Sequence, residues 1–467
     1  MHFSARTSVS RAPLWERFSI LSFLVVYFDS SKGIIANDEG CAEAVALDRA
    51  AVRTTMDETI PAPRNHRRAA IHARGQLHDR TMELAESVLK SRHALLDVLV
   101  ETSTRTAAED EINRSVRAIA GAAWEIGRNN PPAIDRLSVF LPSNNVLYSY
   151  VLFGVIPSLY ADRVDIRPSS RTRQTAVAVH QLLAKACGFA PTGRVSVVEA
   201  SQRDFIASCR RSDAIVFTGQ FDNGVQVMRR VGEHACFLMF GSGPNPMIVG
   251  PEASSVRIQM ALVSSRLYNS GQDCLCTDLI FVHRSLLPEV IEGLKKILSG
   301  IDITERDTPG ALVAPLVYPD AAREAAVYIA DHAEQVIFGG SADPGTLRVE
   351  PTVILHQTSA GLHPPEFFSP IFCMVPYDDP VEISRWASTS VEMHRGMYAT
   401  VFGEPRLTGS RLGTAAILRE MTTFDHEDGN KPFGGYGIQA GSVRGADGRL
   451  VARPLLLSAE LAAWDAR

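Results

Sequence analysis

Short apolar runs alternate with amphipathic segments along the middle of this 467-residue chain. The runs predict strands at residues 137–141, 164–166, 195–198 and 214–218. Segments between them, such as residues 175–187, carry apolar side chains at the three-and-four spacing of helices. A second alternating stretch extends from residue 246 to residue 430. Strands that alternate with helices form parallel sheets covered on both faces, so we predict an α/β fold with two doubly wound parallel-sheet domains.

Two further segments are predicted to be helical. Apolar residues recur at helical spacing from residue 65 to residue 127, until Asn129-Asn130-Pro131-Pro132 breaks the pattern. Residues 148–159 are predicted to form another helix, after a turn at Asn144-Asn145.

The composition is that of an ordinary globular protein, with 45% apolar and 21% charged residues. The formal net charge is −5, and no block of like charge offers a phosphate-neutralising surface, so we expect no nucleic-acid partner. Seven cysteines, an odd number spread along the chain, argue against a secreted disulfide framework and predict a reducing, cytoplasmic location. Cys274 and Cys276 have no second Cys or His cluster at zinc-ligand spacing, so we predict no metal site.

Residues 18–28 form an apolar run that follows three arginines and superficially resembles a signal peptide. The run is too short to span a bilayer, and Asp29-Ser30-Ser31-Lys32 follows it without a small-x-small cleavage site. We predict a buried or loosely attached extension and no membrane span. A mis-assigned start is the alternative, and export is ranked last. A processed N-terminus near residue 30 in purified native protein would reverse that ranking.

One thiol, that of Cys274, lies at a glycine-bearing turn. The sequence Gly271-Gln272-Asp273-Cys274 runs into the apolar residues 279–282, which predict a strand. A thiolate at such a turn can attack an electrophilic carbonyl, and backbone N–H groups beside it can receive the resulting oxyanion. A lone Cys is more often a small buried apolar residue. The flanking Gly-Gln and further matches on both sides favour a nucleophile here.

This turn resembles the Gly-Gln-x-Cys signature that carries the catalytic cysteine of the aldehyde dehydrogenase superfamily. Pro432-Phe433-Gly434-Gly435 matches the family's Pro-Phe-Gly-Gly, and the resemblance covers residues 55–455. It implies an aldehyde dehydrogenase-like fold, NAD or NADP as cofactor, and a homodimer or homotetramer. It also implies that Cys274 is the nucleophile and that the side-chain amide of Asn145 binds the oxyanion. Asn144 leaves the register open by one residue, and a helix-capping Asn is the alternative.

Two further pairs of residues match cofactor-binding motifs of the family. Gly219 and Gly224 lie between a strand and an amphipathic helix, similar to the family's Thr-Gly-Ser-x-x-x-Gly turn, which approaches the dinucleotide pyrophosphate. A plain strand-to-helix turn is the alternative, and Gln220 replaces the family's Ser. Glu366 and Phe368 match Glu-x-Phe-Gly-Pro, whose Glu binds the nicotinamide ribose and whose Phe packs on the nicotinamide ring.

An Arg-Pro-Ser-Ser segment falls where the family has Lys-Pro-Ser-Glu, which contacts the adenosine ribose. The resemblance therefore implies that Arg167, Ser169 and Ser170 bind the cofactor. Ser170 replaces the carboxylate that would accept a hydrogen bond from a ribose 2′-hydroxyl, and Arg171 follows it. Guanidinium groups suit phosphate oxygens, so we predict that NADP binds at least comparably to NAD. Arginines that are merely solvated are the alternative.

The family's general base is missing from its expected place. Residues 239–246 replace the family's Glu-Leu-Gly-Gly-Lys-x-Pro, and Phe240 stands where its Glu activates the hydrolytic water. Base assistance contributes about 10²–10⁴-fold, so water attack on a thioester is expected to be slow. CoA-acylating aldehyde dehydrogenases and acyl-CoA reductases also lack this Glu, and they have a Gly-rich stretch that residues 241–246 resemble.

We therefore predict an NAD(P)-dependent oxidoreductase that forms a thiohemiacetal or thioester at Cys274. Interconversion of an aldehyde and an acyl thioester, such as an acyl-CoA, is favoured. Hydrolytic oxidation of an aldehyde to an acid is one alternative, and a catalytically impaired binding or assembly homologue is another. The predicted organisation is an unmatched extension (1–50), a dinucleotide-binding domain (51–240), a catalytic domain (241–432) and a return segment with a small oligomerisation arm (433–467).

Overall fold

The computed structural model describes residues 74–189, 192–445 and 447–465. The extension predicted at residues 1–50, with its apolar run, lies outside the described residues. The described helices, in chain order, are α1 (Arg74–Lys90), α2 (Arg92–Leu99), α3 (Arg105–Asn129), α4 (Val146–Tyr150), α5 (Arg173–Ala186), α6 (Gln202–Ser208), α7 (Phe221–Met228), α8 (Ser255–Arg266), α9 (Leu287–Leu298), α10 (Pro319–Asp331), α11 (Pro380–Ala387), α12 (Ser390–Arg395), α13 (Thr423–His426) and α14 (Leu457–Asp465).

The described strands are short and mostly buried. In chain order they are β1 (Ile134–Phe140), β2 (Ala161–Arg167), β3 (Val195–Val197), β4 (Ala214–Thr218), β5 (Cys236–Phe240), β6 (Asn245–Val249), β7 (Thr277–His283), β8 (Val336–Phe338), β9 (Ala342–Asp343), β10 (Arg348–Val349), β11 (Thr352–Leu355), β12 (Ile371–Tyr377), β13 (Tyr398–Phe402), β14 (Arg411–Leu412), β15 (Ala415–Arg419), β16 (Gly441–Arg444) and β17 (Leu450–Ala452).

The first sheet has seven strands in the order β17-β16-β5-β4-β1-β2-β3. Strands β1 to β5 run parallel, with Leu137 opposite both Val164 and Ala214, whereas β16 and β17 are antiparallel. Central parallel strands are buried on both faces, which explains why β4 and β5 read as continuous apolar runs. The last part of the chain therefore returns to the sheet built by its first part.

The second sheet has eight strands in the order β14-β15-β13-β6-β7-β12-β11-β8. Its six inner strands are parallel, and β14 and β8 are antiparallel strands at the two edges. Together the two sheets confirm the predicted α/β fold with parallel-sheet domains. The domain boundaries and the oligomerisation arm proposed for residues 433–467 stay predictions.

The first predicted helical segment is divided in the described residues. α1 and α2 are followed by a turn, and Thr104 begins α3 because its side-chain oxygen accepts a hydrogen bond from the backbone N–H of Ala107. Asn130 ends α3 in the left-handed conformation with φ 47°. Periodicity alone did not show these interruptions, because apolar spacing continues across them.

The helix predicted at residues 148–159 is not regular. α4 passes into a π-helical turn at Val151–Val155 and then into a 3₁₀ turn at Pro157–Leu159. The backbone N–H of Ile156 bonds to the carbonyl of Val151, 3.0 Å away. Pro157 has no N–H to give the carbonyl four residues earlier, so regular helical bonding cannot continue there.

None of the helices in the described part of the chain is both long and apolar enough to cross a membrane.

Candidate active site

The turn before Cys274 is held in an uncommon backbone conformation. Asn269, Ser270 and Gly271 have φ values of 49°, 61° and 82°. Residues other than Gly rarely adopt this region. Two side-chain bonds hold it: the Asn269 Oδ1 accepts from the Thr104 N–H at 2.9 Å, and the Ser270 Oγ accepts from the Ala314 N–H at 2.9 Å. The turn is thereby fixed to α3 and to the loop before α10.

The glycine of this turn is needed for a close approach between two loops. A Cβ atom on Gly271 would lie 2.5 Å from the carbonyl oxygen of Ser369. Ser369 directly follows Phe368 and lies in the same loop as Glu366. The loop that carries the nucleophile and the loop that carries the predicted nicotinamide contacts are therefore adjacent.

The Cys274 thiol is half-buried, and its backbone is anchored by Asn245. The Asn245 Nδ2 donates to the carbonyl of Cys274 at 2.7 Å and to that of Cys276 at 3.1 Å. Burial and the carboxylates of Asp273 and Glu366 raise the pKa of the Cys274 thiol well above its ordinary value. These surroundings favour the protonated thiol over the thiolate, so attack on a carbonyl includes loss of the thiol proton.

Cys274 lines a cavity whose empty volume, counted together with the open solvent at its mouth, is about 1030 Å³. One part of the wall is apolar or aromatic and includes Leu152, Phe153, Phe240, Tyr268, Leu275, Phe424 and Phe433. The polar part includes Glu111, Arg114, Asn144, Asn145, Tyr148, Asp273, Glu427, Asp428 and Lys431. The two predicted catalytic residues, Cys274 and Asn145, therefore meet in one cavity.

Asn145 is oriented by the residue that precedes the nucleophile. Its Nδ2 donates to the Asp273 Oδ2 at 2.7 Å, and the Asp273 Oδ1 accepts from the Leu275 N–H at 2.8 Å. A side-chain amide has two N–H groups, so the second one is available for an oxyanion. Asn145 begins α4 but makes no side-chain capping bond. The carboxylate of Glu111 caps α4 instead, because it accepts a hydrogen bond from the backbone N–H of Leu147 at 2.7 Å.

Phe240, at the position predicted for a general base, packs among other rings. Its centroid lies 5.0 Å from that of Phe153 and 6.5 Å from that of Phe433. It ends β5 and forms part of the apolar cavity wall. No carboxylate can act from this position in this chain.

The residues predicted to bind the adenosine end of a cofactor lie where strands of the first sheet end. The Arg167 Nε donates to the carbonyl of Ala200 at 3.2 Å, and burial lowers its pKa. The Ser169 and Ser143 hydroxyls are 3.0 Å apart, and Ser170 is exposed. β2 and β4 flank β1, so these residues share an edge with Gly219, which has φ 145°. In doubly wound sheets, ligands bind at the carboxyl ends of the strands.

Gly224 faces the sheet. A Cβ atom on it would lie 2.6 Å from the Met239 Sδ and 3.0 Å from a ring carbon of Phe217. Its missing side chain therefore lets α7 pack closely on β4 and β5, as one glycine of a dinucleotide-binding turn does.

Glu366 and Phe368 lie beside the nucleophile's loop, outside the walls of the cavity described above. The Ser242 hydroxyl donates to the Glu366 Oε2 at 2.5 Å. Burial and the charge of Asp278 raise the pKa of Glu366 to about 8. Phe368 makes an edge contact with Tyr318, with centroids 6.2 Å apart.

Two unpaired polar atoms test whether these residues fit a nicotinamide cofactor. The Glu366 Oε1 and the Thr218 Oγ1 are buried and have no hydrogen-bond partner among the described residues. A buried acceptor without a donor is costly unless a ligand supplies one. The hydroxyls of a cofactor ribose would supply donors to Glu366. The residues present therefore fit NAD(P).

A buried arginine supports both loops of the site, and sequence reasoning missed it. Arg266, at the end of α8, pairs with Asp278 at 2.8 Å, and both side chains are almost completely buried. Its guanidinium also donates to the carbonyls of Gly271 at 2.7 Å and of Phe367 at 2.6 Å. No sequence motif indicated it, because an arginine at a helix end is usually solvated.

Comparison with known proteins decides the family. The aldehyde dehydrogenase family model matches residues 36–441. The chain belongs to the aldehyde dehydrogenase family. This finding confirms the family predicted from the Gly-Gln-x-Cys and Pro-Phe-Gly-Gly motifs.

Two relatives are similar to this chain at low identity. A 2-aminomuconic semialdehyde dehydrogenase of Danio rerio is 28% identical over 299 residues, and that match covers 58% of this chain and 58% of the relative. The human protein of the same name is 26% identical over 386 residues, covering 76% of this chain and 73% of the relative. The chain thus spans less than two thirds of the first of these relatives.

Solved structures confirm the fold. An NADP-dependent enzyme of E. coli superposes with a TM-score of 0.71 at 19% identity, covering 85% of each chain. Succinic semialdehyde dehydrogenase of Streptococcus pyogenes, in complex with NADP+, gives a TM-score of 0.69 at 17% identity, covering 83% of this chain and 88% of that one.

The contacts of Arg171 lead to a prediction about cofactor preference. Arg171 pairs with Asp320 at the start of α10, and its guanidinium lies 5.7 Å from the Tyr318 ring centroid. If Arg171 also contacts a 2′-phosphate, Arg171→Ala should raise the dissociation constant of NADPH by about fivefold and leave that of NADH unchanged. About fivefold corresponds to the loss of one exposed ion pair. Dissociation constants by fluorescence titration measure this.

The matched control is Arg323→Ala, which removes the other arginine that contacts Asp320. It should leave both dissociation constants unchanged. Strict NADH preference that Arg171→Ala does not alter would refute the assignment of Arg171 to the phosphate.

Proposed function

We propose that this chain oxidises an aldehyde with NAD(P) through an acyl intermediate on Cys274. The observation that carries the proposal is the meeting of the Cys274 thiol and the Asn145 amide in one cavity with an apolar wall. A nucleophile, an oxyanion donor and a space for a carbon chain are what covalent aldehyde oxidation requires.

The chain's own residues provide the covalent part of the reaction. The Cys274 thiol loses its proton to solvent water, and its sulfur bonds to the aldehyde carbon as the carbonyl π bond opens. The oxyanion of the resulting thiohemiacetal is held by the second N–H of the Asn145 amide and by the Cys274 backbone N–H. Glu366 and Phe368 would hold the nicotinamide end of NAD(P), and Gly219 would allow its pyrophosphate to approach the backbone. When bound, the cofactor supplies the hydride acceptor. The product on the protein is a thioester of Cys274.

Semialdehydes are the first substrates to test, because the Danio rerio relative carries 2-aminomuconic semialdehyde in its name and the Schizosaccharomyces pombe relative carries succinate-semialdehyde. A panel of semialdehydes and unbranched aldehydes, assayed for NAD(P)H formation, tests the proposal. NAD(P)H formation with at least one of them, lost when Cys274 is blocked, is the expected result. If no aldehyde of the panel gives NAD(P)H, the alternative of a catalytically impaired binding or assembly homologue is favoured.

A prediction about Asn145 follows from its bond to Asp273. Removal of one oxyanion donor typically costs about 10²–10³-fold in kcat, so Asn145→Ala should lose about 10²-fold with little change in KM. Asn144→Ala is the matched control, because the neighbouring residue also lines the cavity. Steady-state kinetics of the two variants decide the register. A larger loss in Asn144→Ala would move the oxyanion role to Asn144.

Transfer of the acyl group to a thiol such as CoA is a second candidate, and the rings around Phe240 favour it. Water needs a base to attack a thioester, and none stands at this position. Rapid mixing of enzyme, aldehyde and NAD(P) with and without CoA separates the routes. A burst of NAD(P)H, then slow turnover that CoA accelerates, supports the thiol route. Steady turnover indifferent to CoA supports release by water.

A further inference from the structure

The same cavity contains a carboxylate that none of the sequence motifs marks. Glu427 follows α13 directly and lines the cavity together with Cys274. α13 is tied to the nucleophile's loop, because the Thr423 hydroxyl donates to the carbonyl of Leu275 at 2.5 Å. The charge of the Glu427 carboxylate is one of the causes that raise the pKa of the Cys274 thiol. The Glu427 carboxylate is thus in the same cavity as the nucleophile, next to a short helix that is bonded to the nucleophile's loop.

One oxygen of Glu427 is oriented and the other is available. The Tyr148 hydroxyl donates to the Oε1 at 2.9 Å, and the guanidinium of Arg114 stabilises the charge from α3. The Oε2 accepts no hydrogen bond from any described residue. A carboxylate with one oxygen fixed and one open to the cavity can accept a proton from a water molecule.

The other carboxylates near the thiol are less suited to this step. Both oxygens of Asp273 are used, by the Leu275 N–H and by the Asn145 amide. Glu111 caps α4 through two backbone N–H groups. Glu366 lies outside the cavity walls, where its free oxygen matches a cofactor hydroxyl. Among the described carboxylates, Glu427 has the geometry of a base.

We propose that Glu427 is the general base that releases the acyl group from Cys274, in place of the carboxylate missing at position 240. This inference rests on the acyl intermediate of the proposed function. The Glu427 carboxylate takes a proton from water while the water oxygen bonds to the acyl carbon. The tetrahedral intermediate then breaks its carbon–sulfur bond, and the departing Cys274 thiolate takes the proton from Glu427. A thioester and water thereby give a carboxylic acid and the free thiol.

The pH dependence of acyl release follows from the groups that surround Glu427. Burial and the charges of Asp273 and Asp428 raise its pKa, against the opposing effect of Arg114, to about 7. The base form is the carboxylate, so release should be slow below this pH and should rise through it to a plateau. The groups that face Glu427 from the packed elements are Arg114 of α3, Tyr148 of α4, Asp273 and Cys274 of the loop before β7, Tyr398 of β13 and the adjacent Asp428.

The test separates acylation from release without a redox step. para-Nitrophenyl acetate acylates a reactive thiol and liberates coloured nitrophenolate, so no cofactor is needed. In the full-length wild type, release should be fast enough to give steady turnover with an inflection near pH 7. In Glu427→Gln, one equivalent of nitrophenolate should appear as a burst, followed by release slowed by about 10²-fold and without that inflection.

Two further variants distinguish a base from a structural residue. Asp425→Asn removes a capping carboxylate from the same short helix and should leave the release rate almost unchanged. Glu427→Ala with added formate, a small carboxylate, should recover part of the lost rate. Recovery by formate would show that the missing group is a proton acceptor.

Two results would overturn the assignment. The first is release in Glu427→Gln at the wild-type rate with the wild-type pH profile. The second is a wild-type acyl-enzyme that accumulates and is released by CoA, which favours the thiol route. Failure of the proposed function itself is distinct, because it would leave the ester assay intact and abolish only NAD(P)H formation from aldehydes.

Discussion

Cys274→Ser is expected to reduce turnover to background, a loss of about 10⁴-fold or more. A hydroxyl is a much poorer nucleophile than a thiol. The oxyanion donors and the cofactor-binding residues act together with the nucleophile, so they cannot replace it when it is removed. Cofactor affinity should change little, because the predicted cofactor contacts lie on other loops. NAD(P)H formation and fluorescence titration of cofactor measure the two effects in one preparation.

Cys276→Ser is the matched control, two residues along the same loop. The Cys276 thiol is fully buried, does not line the cavity, and lies 3.7 Å from the carbonyl of Tyr268. This variant should keep most of the activity. Retention of more than a few per cent of activity in Cys274→Ser would exclude the covalent mechanism.

Arg266→Met is expected to lower the free energy of unfolding by about 3–5 kcal/mol, because it leaves the buried Asp278 carboxylate without its partner. The same change removes two donors, to the carbonyls of Gly271 and Phe367, so the loops of the nucleophile and of Glu366 should lose their alignment. Urea-induced unfolding, followed by tryptophan fluorescence, measures the stability. Residual activity at a temperature where the variant is folded reports the alignment.

Arg257→Met is the control for this prediction. Arg257 lies on the same helix, α8, and pairs with Glu420, but both side chains are about half exposed. Exposed ion pairs contribute about 0–1 kcal/mol, so this variant should unfold close to the wild type. Equal unfolding midpoints for Arg266→Met and Arg257→Met would contradict the role given to the buried pair.

Local patterns predicted β1 to β4 because the physical signals are local. β4, for example, is a short apolar run that the core buries on both faces. β5 is an equally apolar run but was not predicted as a strand. A return segment was predicted at residues 433–467 from the family resemblance, but its pairing with β5 was not, since that pairing spans about 200 residues, from Leu238 to Val443. Regular helical bonding after α4 ends at Pro157, which has no backbone N–H to donate.

The site was predictable where a residue's role is tied to a motif. Cys274 and Asn145 were expected to act together, and the structure places both in one cavity. Asp273, Arg266 and Glu427 were missed because their roles depend on partners far away in the chain. The sequence did show that Asp273 directly precedes the predicted nucleophile, and a carboxylate at that place was the one signal that could have pointed to a contact in the site.

The three-dimensional setting also changes how the absence of a carboxylate at position 240 is interpreted. The sequence showed Phe240 and therefore favoured a thiol acceptor. The structure adds Glu427, a carboxylate held by Tyr148 and by Arg114 in the same cavity as Cys274. Release of the acyl group by water is consistent with the proposed aldehyde oxidation, with the base supplied by a different element of the fold.

The central claim, a thioester on Cys274, can be measured directly by mass spectrometry. Enzyme, aldehyde and NADP are mixed, quenched in acid within the first turnover and digested. Fragmentation between Cys274 and Cys276 locates any adduct. An acyl group on Cys274, present only when NADP is included, is the expected result. NADPH formed within the first turnover of Glu427→Gln without an adduct, or an acyl group found on Cys276 instead, would contradict the account.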